Sequence, residues 1–168
     1  MAYTIYDASV PVMIRALTNL SKILDKAAAQ AEAEGKPPGA LIDGKLAEDM
    51  RPLPFQIQSA SDAAKFTAAR LGGIEAPKME DTEKTFPELS ARLAKTIDFL
   101  KSVTPEQLAG GEEREVVLKF PNGEMKFTGR DYLANFALPN FFFHVTTAYA
   151  ILRHKGIGIG KMDFLGGV

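Results

Sequence analysis

The chain has 168 residues, 46% of them hydrophobic and 24% charged, which fits one globular domain spanning residues 1–168 and excludes wholesale disorder. Its formal net charge is -1, so it lacks the basic excess of a general nucleic-acid or anionic-membrane surface. Cysteine is absent, which removes disulfides, thiolate metal sites and cysteine nucleophiles.

The opening "MAYTIYDASVPVM" has neither the basic start nor the apolar run of a signal peptide. No stretch approaches the ~18 to 20 apolar residues of a membrane span, so a cytoplasmic location is expected. After Asp7 the apolar residues Val10, Met13, Ile14, Leu17, Leu20, Leu24, Ala27, Ala28 and Ala31 recur at steps of three and four, the spacing of one helix face. Asp7 or Ser9 is positioned to cap this helix, Pro11 suits its first turn and Gly35 its end. "KPPGALIDGKL" reads as a loop.

A second helix is predicted from about Pro52 or Pro54 to Leu71, closed by Gly72-Gly73. A polar connector leads to "TFPE", where Thr85 and Glu88 have the spacing of a capping box. Leu89, Leu93, Ile97 and Leu100 then mark a third helix, and "TPEQL" begins a short turn with Thr104 as its cap. The period next changes to that of strands: "EVVLKF" and "EMKFTG" flank "PNG", and Asn122-Gly123 is a strong hairpin-turn signal. Two strands alone are marginal, so the hairpin must lie against helices. Thr128 and Asp131 open the last helix, which runs through Pro139 to His154 before Gly156 stops it. A Gly-rich tail follows, with an apolar knob at Phe164-Leu165. The fold expected is all-α: a four-helix bundle with a short β-hairpin inserted before the last helix.

On that last helix Leu133, Phe136, Ala137, Asn140, His144, Thr147, Ala148 and Ile151 fall on one side, so Asn140 and His144 are neighbours on the stripe expected to face the interior. Pro139 removes an amide donor and should bend the helix just before them, leaving the Asn135 carbonyl to find another partner. Gln56, Gln58 and Asp62 sit among apolar residues on the second helix, whose face could meet the Asn140/His144 face in one polar pocket. A lone histidine on an apolar helix is more often a satisfied core group than a ligand, and a Gln–His–Asn network would satisfy it. Phe141-Phe142-Phe143 point three ways around a helix, so at least one ring should look away from the core. His154 beside Arg153 suits the negative end of the helix dipole. It lies nearly three turns from His144, so the two histidines cannot easily share one metal.

"YDASVP" at the start, "DMRPLPFQIQSASD" at Asp49–Asp62 and the closing stretch from Asn140 to Gly166 together resemble an uncharacterised branch of the DinB-like bundle superfamily. The resemblance covers essentially the whole chain and implies the DinB-like four-helix fold. It also implies where a metal would sit: metal-binding members hold a divalent ion with one histidine from the second helix and an H-x-x-x-H pair on the last. That pair falls on Asn140 and His144 here, and the second-helix position near Gln56 or Gln58, so one histidine of three is kept. Carboxamide oxygens are poor ligands for zinc or nickel beside imidazole.

Three readings follow. The first is a small molecule bound at a degenerate metal site lined by Gln56, Gln58, Asp62, Asn140 and His144, with no cofactor. The second is a diverged metal-dependent hydrolase or transferase in which His144 binds nickel or zinc or acts as a base. The third is a non-catalytic homodimer joined through the aromatic face around Phe142-Phe143 and the Phe164-Leu165 knob. Lysines and arginines are spread along the chain, so no nucleic-acid partner is expected, and "GIGIGKMD" lacks the glycine spacing of a phosphate loop.

Overall fold

A computed structural model describes residues 3–37 and 39–167. Four long helices make the bundle: α1 (Val10–Ala33), α3 (Leu53–Gly72), α4 (Phe86–Ser102) and α6 (Leu138–His154). A single-turn helix α2 (Gly39–Ile42) interrupts the stretch expected to be loop, and buries Leu41 and Ile42. The hairpin consists of β1 (Glu115–Phe120) and β2 (Gly123–Thr128), antiparallel, followed by α5 (Gly129–Tyr132). A short helix α7 (Lys161–Leu165) ends the described chain. Among the described residues no helix is long and apolar enough to cross a membrane.

Most of the expected apolar stripe of α1 is buried: Val10, Met13, Leu17, Leu20, Leu24, Ala27 and Ala31 are each at most 2% exposed, Ile14 and Ala28 are half-buried, and Ile23 joins the core. α3 packs against both α6 and α4, and α1 packs against α4. Start signals were realised unevenly. Thr85 and Glu88 form the full capping box. Thr128 Oγ1 accepts from the Asp131 amide (3.2 Å). At the start of α1, by contrast, Ser9 Oγ donates backwards to the Ile5 carbonyl (2.6 Å), and the Asp7 carboxylate accepts from Thr4. Neither caps α1, because the preceding turn competes for the same side chains.

The hairpin turn also differs from expectation. Phe120 pairs with Gly123, so the two loop residues are Pro121 and Asn122 rather than Asn122 and Gly123. Pro121 has its φ fixed negative by its ring, and no non-glycine described residue has positive φ. A primed turn is therefore excluded, and Gly123 takes the positive φ (145°) one position later. The inner strand buries Val116 and Leu118 while β2 stays mostly exposed.

The C-terminal segment is tied to α1 by several side chains. Gln30 donates to the Gly156 carbonyl (3.1 Å) and accepts from the Gly158 amide (2.7 Å). Asn19 donates to the Phe164 carbonyl, Arg15 to the Leu165 carbonyl, and Lys26 pairs with Asp163. The Gly-rich tail is thus a fixed strap, and its Phe164 ring packs edge-on against Tyr149.

One glycine is required by close approach. The Arg130 amide donates to the Glu112 carbonyl (2.9 Å), which presses the start of α5 onto the preceding loop. A Cβ at Gly129 would lie 1.8 Å from the Gly111 carbonyl oxygen. Both partners are backbone, so relief requires main-chain movement. Gly129→Ala should lower stability by about 1–3 kcal/mol, the range of overpacked sites, as read by urea unfolding. An unchanged midpoint would mean the contact is looser than described.

Candidate functional site

The site begins with a proline. Pro139 has no amide to donate, and the turn before it, Leu133–Ala137, is a π turn in which the Leu138 amide reaches the Leu133 carbonyl. A π turn inserts about one extra residue relative to an α turn. Faces downstream are rotated accordingly. Phe141, Val145 and Leu152 join Leu133, Ala137, Thr147, Ala148 and Ile151 of the predicted line in the core, but Asn140 and His144 do not. Those two residues are instead part-exposed at the margin of the bundle. The three phenylalanines divide as expected: Phe141 is buried, Phe142 half-buried and Phe143 56% exposed.

Asn140 and His144 border a cleft between α3 and the π turn with α6, of about 210 Å³. Facing them on α3 are Ser59, Asp62, Thr67 and Arg70, while Tyr132 and Phe136 close one end. Gln56, 2% exposed, lies outside the cleft wall and reaches it through His144. Its Nε2 donates to the Arg51 carbonyl (3.0 Å), and its Oε1 is 2.8 Å from His144 Nδ1. Because the amide nitrogen is committed to Arg51, the oxygen faces the imidazole as an acceptor. His144 therefore carries its proton on Nδ1 and presents a bare Nε2. The rings of Phe55 (6.0 Å) and Phe143 (5.2 Å) flank the imidazole edge-on. Burial among them lowers its pKa and favours the neutral form. Asn140 makes no side-chain hydrogen bond among the described residues, and neither does Nε2 of His144.

Gln58 does not join this group. Two residues beyond Gln56 it points to the other side of α3, where its Nε2 donates to Glu83 (3.0 Å). Asp62 touches both sides. It borders the cleft, yet its Oδ1 is 2.8 Å from both Lys65 and Arg92. Arg92, 2% exposed, also binds Asp81 and Glu83 (3.0 Å each) and the Glu80 carbonyl. Burial opposes charge on Glu83, but hydrogen bonds from Gln58 and Arg92 outweigh it and hold its carboxyl below the ordinary range. Burial likewise disfavours the Arg92 cation, and its three carboxylates more than offset that. The cluster fastens the connector between α3 and α4 to the bundle.

Arg70 is the residue the sequence reading missed. Its Nη1 donates to the Tyr132 hydroxyl (2.9 Å), and its guanidinium lies over the rings of Phe66 (5.1 Å) and Tyr132 (5.7 Å). Among the described residues it has no carboxylate partner. The available signal was its spacing: Asp62, Phe66 and Arg70 recur every four residues on one face of α3.

Among the described residues no three His, Cys, Asp or Glu side chains come together as a metal site. The donor set of Gln56, Asn140 and His144 does not fit the tri-histidine arrangement the resemblance implies, since Gln56 spends its oxygen on the His144 N–H. His154 is exposed, at the far end of α6.

Two outcomes follow for His144. Long-range proton–nitrogen spectra should show the Nδ1–H tautomer in the native protein and a mixture, or the Nε2–H form, in Gln56→Leu; an unchanged tautomer in that variant would mean Gln56 does not set it. The fold also holds this histidine neutral, so protonation favours the unfolded chain. Its contribution to stability is complete above its ordinary pKa of 6.5 and declines as pH falls below that value. Unfolding followed between pH 7 and 5 should lose stability less steeply in His144→Gln.

The family model described as Domain of unknown function (DUF1993) matches residues 5–165. The crystal structure of a DinB family member protein from Shewanella denitrificans superposes with a TM-score of 0.90 at 37% identity, covering 97% of this chain and 92% of that one. No curated protein matches the chain. With a helical bundle carrying one hairpin before its last helices, and a family model spanning nearly its whole length, the chain belongs to the DUF1993 family of DinB-like proteins.

Proposed function

We propose that this protein binds a small organic molecule in the cleft between α3 and α6, at the position where metal-binding relatives of the superfamily hold their ion, and that it does so without a metal. The observation that carries this reading is unspent hydrogen-bonding capacity facing one cavity. The Asn140 carboxamide, His144 Nε2 and most N–H groups of Arg70 border the cleft without partners among the described residues. Convergent polar groups beside apolar walls are the composition of a ligand site. At about 210 Å³ the cleft is smaller than drug-sized pockets, so the molecule is small.

Protein-observed NMR against a collection of neutral and charged small fragments tests this. Compounds that bind should shift the resonances of Phe136, Asn140 and His144, with affinity lowered at least tenfold in His144→Ala and abolished by Ala63→Leu, which fills the cleft wall. If no fragment moves any cleft resonance, the reading is wrong. Calorimetric titration with nickel, zinc and manganese should give no stoichiometric uptake. Uptake that disappears in His144→Ala would move the assignment to a diverged metal-dependent enzyme.

The outer face of α6 supports a second reading, a homodimer. Phe143 is 56% exposed and Leu46 39%, and both line one shallow apolar groove with Phe142. Sedimentation at micromolar concentration should give a dimer that Phe143→Glu converts to a monomer.

A further inference from the structure

Charge is distributed unequally over the cleft. Lys65 and Arg92 are both buried on Asp62 and leave its carboxylate little attraction for a further cation. Arg70 has no such counter-ion among the described residues. Its place in the last turn of α3 gives it the favourable sign for the helix dipole, but that does not use its directed N–H groups. The Tyr132 hydroxyl takes one, and the Phe66 and Tyr132 rings hold the guanidinium over the cleft. A planar guanidinium already held in place is suited to receive a carboxylate through two parallel bonds. The other end of the cleft has the complementary need. His144 Nε2 is a bare lone pair, because Gln56 fixes the ring proton on Nδ1.

Resting on the cleft reading above, we infer that the ligand is a small hydroxy-carboxylate, or a close chemical equivalent, with its carboxylate on Arg70 and an uncharged hydrogen-bond donor on His144 Nε2. Asn140, between the two ends, offers both a donor and an acceptor to the body of the molecule.

Size can be bounded from the helices. Gln56 meets His144 and Arg70 meets Tyr132, so α3 and the last helical stretch run antiparallel. Tyr132 and His144 are about 18 Å apart along the axis at 1.5 Å per residue. Arg70 folds back over Phe66, one turn closer to His144, which leaves guanidinium and imidazole on the order of 13 Å apart. Two hydrogen bonds of about 2.8 Å each then leave about 7 Å, a ligand with roughly five bonds between its end oxygens. A volume of about 210 Å³ corresponds to roughly seven waters at their liquid volume, which fits a molecule of that size.

The probe is 4-hydroxybutanoate, compared with butanoate, which lacks the donor, and 4-hydroxybutanamide, which lacks the charge. Affinities come from NMR titration, following the Arg70 Nε–H and His144 ring resonances. The hydroxy acid should bind at least tenfold more tightly than either control. Arg70→Gln should erase its advantage over the amide, and His144→Phe its advantage over butanoate. Arg70→Lys, which keeps the cation but not the fork, should retain part of the preference for the acid; this covers the case in which Arg70→Gln does not fold. Equal binding of acid and amide by the native protein, or a preference for acid that survives Arg70→Gln, overturns the inference. If none of the three binds while neutral fragments shift the cleft resonances, this assignment fails and the cleft reading stands. If nothing shifts them, both fail.

Discussion

The missing amide of Pro139 shapes the stretch of the last helix that carries Asn140 and His144. A proline inside a helix leaves a carbonyl one turn back without its donor. Here the strain is taken up by the π turn Leu133–Ala137, whose wider loop rotates everything downstream. Beyond it Phe141, Val145, Ala148 and Ile151 enter the bundle, while Asn140 and His144 stand at its margin. At that margin Asn140 and His144 form part of the wall of an open cleft.

α3 deals with its polar residues in two distinct ways. On the side toward α4, Gln58 and Asp62 join Lys65, Glu83 and Arg92 in a network with nearly every group satisfied; Arg92 Nε is the exception among the described residues. Lys65 and Arg92 are buried, so losing their carboxylate partners would leave cations without counter-ions in the core, which is costly, and the evident work of the cluster is to hold the α3–α4 connector in place. On the side toward α6, Gln56 makes its two bonds to Arg51 and His144, and beyond it the polar groups are left open. The contrast separates structure from site on a single helix: one face is internally complete and the other is not.

Elements whose signals are local were legible in the sequence. The apolar period of α1, the Thr85/Glu88 box and the glycines at the helix ends placed the bundle, because each depends only on neighbours within a turn or two. Misread features were those in which two local rules compete. Pro121 overrode the Asn-Gly turn signal, Ser9 chose the Ile5 carbonyl over capping, and Pro139 is accommodated by a π turn where a bend was expected. The pairing of Gln56 with His144 lies within the expected candidates, but the choice between Gln56 and Gln58 depends on which side of α3 meets α6. Periodicity in a helix with apolar residues on most faces does not settle that. Arg70 escaped notice because its meaning is relational. A lone arginine near a helix end looks like a dipole partner until Lys65 and Arg92 are seen to have taken the only carboxylate on that face.

The departures from a tri-histidine site are mutually consistent. A metal centre needs lone pairs converging on one point and an excess of negative or neutral donors around it. Gln56 turns its oxygen to the imidazole N–H, Asn140 replaces an imidazole with a weaker carboxamide, and Asp62 is neutralised by two cations. Arg70 adds an uncompensated positive charge to the same cleft. Each change weakens a cation's hold, and the last favours an anion. A cleft whose one unpaired ion is a guanidinium held beside two aromatic rings favours an anion over a cation, as the proposed ligand requires.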